Sequence, residues 1–156
     1  MAQPPIGILE QRRIEAAIVK PLVAAFEKEL GREKTRRIVA EVIRGLAADT
    51  GRRLAAGRNG DSAVRDFAAS MEPWTRGGAL ELEVVELTDD SYAFNVTRCK
   101  YAEMYRELGL EELGYTLSCN RDASLIEGFA PEIEFTRKQT IMQGASHCDF
   151  RYRRRR

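Results

Sequence analysis

No stretch of this chain approaches the roughly 20 consecutive apolar residues that a membrane-crossing helix requires, so no membrane span is expected. The start, MAQPPIGILEQRR, lacks a basic segment followed by an apolar one, and reads as no secretory leader. Histidine occurs once, as His147, and cysteine three times, as Cys99, Cys119 and Cys148. An odd number of scattered cysteines argues against a secreted disulfide framework and suits reduced thiols in a cytoplasm. Neither CxxC nor HxxxH spacing occurs, which removes the usual zinc signatures. Aromatic residues are only 8% of the chain, and no basic patch is interleaved with them, so nucleic acid is not an expected partner.

What remains is a chain of 156 residues, 44% apolar and 31% charged, which fits one domain with its own core. The net charge of +1 is uneven. The five arginines of the closing RYRRRR leave residues 1–150 at −4. As a basic tail over 151–156 this segment is expected to be solvated and frayed; gripping phosphate or an acidic partner is the alternative. Association of identical copies is left open.

The period of the apolar residues changes midway. Over about 8–76 it is helical: Ile14, Ile18, Leu22, Ala25, Phe26 and Leu30 form one stripe, with Pro21 expected to kink the helix and Gly31 to stop it. A second helix is expected from about Glu33 to Leu54, with Ile38, Val42, Ile43, Leu46 and Ala47 on one face. A third follows, capped by Asp61 or Ser62, with Val64, Phe67 and Ala68 inward. These stripes are read as core. Over about 78–153 strands appear. LELEVVEL (80–87), with Leu80, Leu82 and Val84 inward, and YAFNVTRC (92–99) suggest a hairpin. Helical stretches follow to Gly109 and from Leu113 to Gly128. The segment 133–141 and HCDFRYR then read as further strands. The class is α+β: N-terminal helices packed on an antiparallel sheet with inserted helices.

The chemistry-bearing residues gather in this second half. Cys119 and Asp122, three apart, share one face if helical. On a strand, neighbours point oppositely, so His147 pairs in direction with Asp149 and Cys148 with Phe150, which argues against a His147–Cys148 dyad. Three readings stay open. A cysteine is an activated thiolate, with His147 or Asp122 moving protons. Or Cys119, Asp122 and Cys148 hold zinc. Or the thiols are small buried hydrophobes. Asn95 and Thr97, on the strand of Cys99, are sheet residues or pocket donors; Trp74 is read as a core anchor.

Three motifs add to this: Asn95-x-Thr97-x-Cys99 followed by Tyr-Ala-Glu; Cys119-x-x-Asp122 with Gly128, Phe129 and Pro131 downstream; and Thr140-x-x-x-Gly144-x-x-x-Cys148-Asp149-Phe150. In this order they resemble the L-2-amino-thiazoline-4-carboxylic acid hydrolase family, closely over residues 78–153 and by layout before that. The resemblance implies a small hydrolase that opens a cyclic amidine-type C–N bond in a small carboxylated heterocycle, giving N-carbamoyl-cysteine. It implies Cys119, Asp122 and Cys148 as catalytic candidates; His147, which lies between motif positions, is added to them for its imidazole alone. Asn95, Thr97, Cys99, Thr140 and Arg121 become substrate-binding candidates, with Arg98 and Arg137 as further cations for a substrate carboxylate. The partner implied is a small-molecule substrate; the cofactor is none or zinc. A non-catalytic ligand- or zinc-binding sensor module is the alternative.

Overall fold

The computed structural model describes residues 6–156; residues 1–5, on which part of the leader reading rests, lie outside the described residues. Two long helices open the fold, α1 (Ile8–Leu30) and α2 (Arg32–Ala55). They meet at Gly31, whose φ of 80° is freely open to glycine alone. Pro21 does not break α1. Pro21 and Ala17, whose carbonyl loses its bond, are both exposed, so the freed acceptor stands open to solvent. Two short helices follow, α3 (Ala63–Ser70) and α4 (Glu72–Thr75). The Ser62 hydroxyl caps α3 by accepting from the Arg65 amide at 3.2 Å.

The sheet is antiparallel throughout, in the order β1 (Leu80–Leu87), β2 (Ser91–Cys99), β4 (Cys148–Arg154), β3 (Ile133–Thr136). Between β2 and β3 lie α5 (Lys100–Glu107), α6 (Glu111–Gly114), a π-helical turn over Tyr115–Cys119, and α7 (Arg121–Phe129). This is the expected α+β class. No helix among the described residues is long and apolar enough to cross a membrane.

Two apolar clusters form the interior. One joins the core face of the sheet to α3 and α7, around Phe67, Phe94, Ile126 and Tyr152. The other joins α1 and α2 to α5 and α6, around Ala16, Ile43, Met104 and Tyr105. Cys99 and Ile141 pack against both and mark the seam between them. Helices α2 and α7 cross with their backbones almost touching. A Cβ on Gly51 would overlap the Leu125 carbonyl, and one on Gly128 the Ala48 carbonyl.

Three expectations about burial fail. The α1 stripe is not core: Ile14, Ile18, Leu22, Phe26 and Leu30 are 44–60% exposed, and α1 buries Ala16 and Val23 instead. In α2 only Ile43 and Ala47 of the expected face are buried. On β1, Leu80 and Leu82 pack on the core, but Val84 stands 56% exposed on this edge strand, beside the register shift between Val84 and Glu86. The C-terminal backbone is held through Arg155, although the side chains of Arg153 to Arg156 are exposed. Tyr152 is buried in β4, and the Arg154 and Arg155 amides donate to the Asp90 and Glu132 carbonyls at 2.8 Å.

Candidate functional site

A cavity of about 80 Å³ opens at the seam between the two clusters, and Cys99, Cys119, Asp122 and Cys148 all line it. Four separate features of the backbone bring them there. Cys119 closes the π-helical turn, in which the Asn120 amide donates to the Tyr115 carbonyl five residues back at 2.8 Å. Such turns recur at functional sites because the widened coil re-aims its side chains. Asp122 sits in the first turn of α7. Cys148 begins β4, on the same face as Phe150 and Tyr152.

Cys99 arrives through a break in alternation. Tyr92, Phe94 and Val96 occupy the core face of β2, so parity would send Cys99 outward. A bulge intervenes. Leu82 pairs with Val96 and Glu81 with Arg98, leaving Thr97 without a partner. The extra residue turns Cys99 back toward Leu80 and the cavity.

At the centre Arg137 forms an ion pair with Asp122, its Nη1 donating to the carboxylate and its Nη2 to the Cys119 carbonyl at 3.1 Å. The guanidinium is almost entirely buried and stacked at 5.1–5.8 Å from the rings of Phe150, Phe135 and Tyr115. Burial raises the Asp122 carboxyl from 3.8 to about 6, outweighing the pull of Arg137 in the opposite direction. All three thiols are raised as well, and burial is the largest cause in each. Cys99 reaches about 11, and Cys119 goes well above its ordinary value, with Asp122 adding to the effect. Each is therefore a neutral thiol near pH 7. The Cys148 sulfur accepts from the Ile141 amide at 3.2 Å, and the Cys99 sulfur from the Ala102 amide at 3.4 Å.

Arg12 and Arg121 complete the cavity wall. Arg12 bonds Glu15 at 2.8 and 3.0 Å, Arg121 approaches the same carboxylate at 3.5 Å, and Arg121 Nε donates to the Leu117 carbonyl at 2.7 Å. Two largely buried guanidiniums share one carboxylate, which leaves one positive charge facing the cavity.

The remaining candidates stand elsewhere. His147 is outside the cavity; its ring contacts the Gln139 amide nitrogen at 3.2 Å and the Ser146 hydroxyl at 3.0 Å. Asn95 lies on the opposite face of the sheet, accepting from Arg151 at 3.0 Å, and the exposed Thr97 hydroxyl reaches the Glu81 carbonyl at 3.4 Å. Thr140 is buried but caps the 3₁₀ turn at Ile141–Gln143, accepting from the Gln143 amide. Arg98 is exposed and paired with Glu103 and Glu81. Among the described residues no group of three or more His, Cys, Asp or Glu stands where it could hold one metal ion, and the Asp122 carboxylate is bonded to Arg137. Arg12, Trp74, Tyr101 and Phe150 line the cavity without having been singled out for it. For Arg12 the sequence offers only a Glu three residues on.

A family model described as L-2-amino-thiazoline-4-carboxylic acid hydrolase matches residues 11–152. No curated protein matches the chain at a significant level. Among solved structures, the chain is similar to the phenol-responsive sensory domain of the transcription activator PoxR with phenol, at 11% identity and a TM-score of 0.58 over 89% of this chain and 74% of that one. It is similar also to trafficking protein particle complex subunit 3 from Naegleria fowleri covalently bound to palmitic acid, at 13% identity and a TM-score of 0.57 over 94% and 96% of the two chains. At such identities the likeness concerns the fold.

Proposed function

Because the chain belongs to the L-2-amino-thiazoline-4-carboxylic acid hydrolase family, we propose that the seam cavity hydrolyses a small carboxylated heterocycle of the cyclic amidine type in a reducing compartment, which suits the three free thiols. The observation that carries this reading is the convergence of Cys119, Asp122 and Cys148 around one cavity beside the Asp122–Arg137 pair.

Asp122 is the proton carrier. A carboxyl poised at about 6 is ionised near neutrality yet basic enough to accept a proton from water. It takes that proton as the water oxygen adds to the ring carbon between nitrogen and sulfur, and passes it to the ring nitrogen. Collapse of the adduct then breaks the carbon–sulfur bond and not the carbon–nitrogen bond first expected, because a carbamoyl product keeps both nitrogens on that carbon. The hydroxyl proton follows through the same carboxylate to the departing sulfur, leaving a carbamoyl group and a free thiol. Arg137 fixes the carboxylate. Arg12 and Arg121 offer the unbalanced positive charge to the substrate carboxylate. The raised thiols favour water over a cysteine as nucleophile; Cys119 and Cys148 wall the ring. His147 takes no step.

Incubation with 2-amino-thiazoline-4-carboxylate should release one thiol per turnover, read with a disulfide reagent, and Asp122→Asn should abolish it. A wild-type chain that releases none, or an Asp122→Asn chain that keeps full rate, would overturn this reading.

A further inference from the structure

The α1 stripe that fails to reach the core poses a question of its own. Ile14, Ile18, Leu22, Phe26 and Leu30 repeat every four residues along the outside of α1, and Ile38, Val42 and Leu46 do the same along α2. We infer that this face of the α1–α2 hairpin is where a second copy of the chain docks.

Area is the first support. These eight side chains are 40–60% exposed and together present on the order of 800 Å² along the two helices, about what each partner contributes to a standard stable interface. That is more than a monomer normally leaves bare. Shape is the second. Leu22, Phe26 and Leu30 of the first stripe and Ile38, Val42 and Leu46 of the second border a groove of about 600 Å³ between the helices. A row of side chains four residues apart is the ridge that fits the groove between the same rows on another helix, and an identical hairpin related by a two-fold axis supplies both ridge and groove.

Gly45 points the same way. It lies in the interior of α2, exposed, on the side of Val42 and Leu46, with nothing within 4 Å of an added Cβ. A glycine there weakens the helix, and no neighbour within one copy uses the notch it leaves; a docking helix does. Arg12, Thr50 and Arg121 border both the groove and the seam cavity, so the second copy also shields that cavity wall from water. The inference stands whether or not the cavity opens rings.

Sedimentation of the full chain at tens of micromolar is expected to give twice the chain mass. Phe26→Glu combined with Val42→Glu, both on exposed positions, should weaken self-association at least tenfold while the circular dichroism spectrum is kept. In the wild-type chain, hydroxyl-radical labelling of Leu22 and Phe26 should fall as concentration rises. A wild-type monomer, a dimer that ignores the double substitution, or labelling unchanged with concentration would overturn the inference. So would a monomer that co-sediments with phosphatidylcholine–phosphatidylserine vesicles, since the face would then belong to a membrane.

Discussion

Arg137 and Asp122, fifteen residues apart in sequence, form an ion pair walled by three aromatic rings and three thiols. Neither charge is comfortable alone there. Arg137 is held by an acid whose own ionisation burial opposes, and the acid is ionised near neutrality because the arginine is present.

Arg137→Met should therefore destabilise the chain by about 3 kcal/mol in urea unfolding, the lower end for breaking a buried pair, since the Asp122 side chain keeps 27% exposure. The same substitution should carry the Asp122 titration further upward. An unchanged unfolding midpoint would show that the pair contributes nothing.

The pH dependence has opposite signs for stability and for activity. The folded carboxyl titrates at about 6 against an ordinary 3.8, so between those values the folded state holds the proton more tightly. Its contribution is complete below the ordinary value and is lost as pH rises through about 6. Activity should instead rise through the same point, as the carboxylate becomes available. Asp122→Asn should flatten the stability slope in that window; a slope of equal size in the variant would assign it to another group.

The three thiols should be slow to alkylate in the folded chain. With every one shifted upward by burial, iodoacetamide at pH 7.5 should label them at least tenfold more slowly than free cysteine, because only the thiolate reacts. A Cys119 that labels faster than free cysteine would return the nucleophile's role to sulfur.

Arg12→Met should raise KM for a carboxylated ring substrate by tenfold or more and lower kcat less, a split that separates binding from chemistry. The variant leaves Arg121 and Glu15 paired as one neutral couple. Steady-state kinetics on the ring acid and its amide would check this: the amide should be nearly indifferent to the substitution.

Part of the candidate cavity's lining was legible because its spacing was local. Cys119 and Asp122 share a helical face, and Cys148 parts from His147 because adjacent strand residues diverge. The motif that contains Asn95 and Thr97 read less well. Their side chains face away from the cavity, and Thr97 acts through the extra residue it adds to β2, which depends on pairing with a distant strand. Arg12 could not be read at all, since its place at the wall follows from how α1 packs on α5 and from Glu15 of α1 meeting Arg121 of α7. Helices α1, α2 and α3 appeared in the periodicity to within a residue or two, whereas α4 was not expected and the single stretch from Leu113 to Gly128 is three elements; period alone, moreover, does not say what covers a stripe. Ile14 to Leu30 have the spacing of core and the exposure of surface.

The unpaired Thr97 also makes strand length part of the site's specification. Alternation on β2 runs Tyr92, Phe94, Val96 and then skips to Cys99, so trimming one residue here would leave every neighbour chemically intact while turning a sulfur inside out. Relatives that share this cavity must therefore agree on how many residues separate Val96 from Cys99 more strictly than on which residues they are.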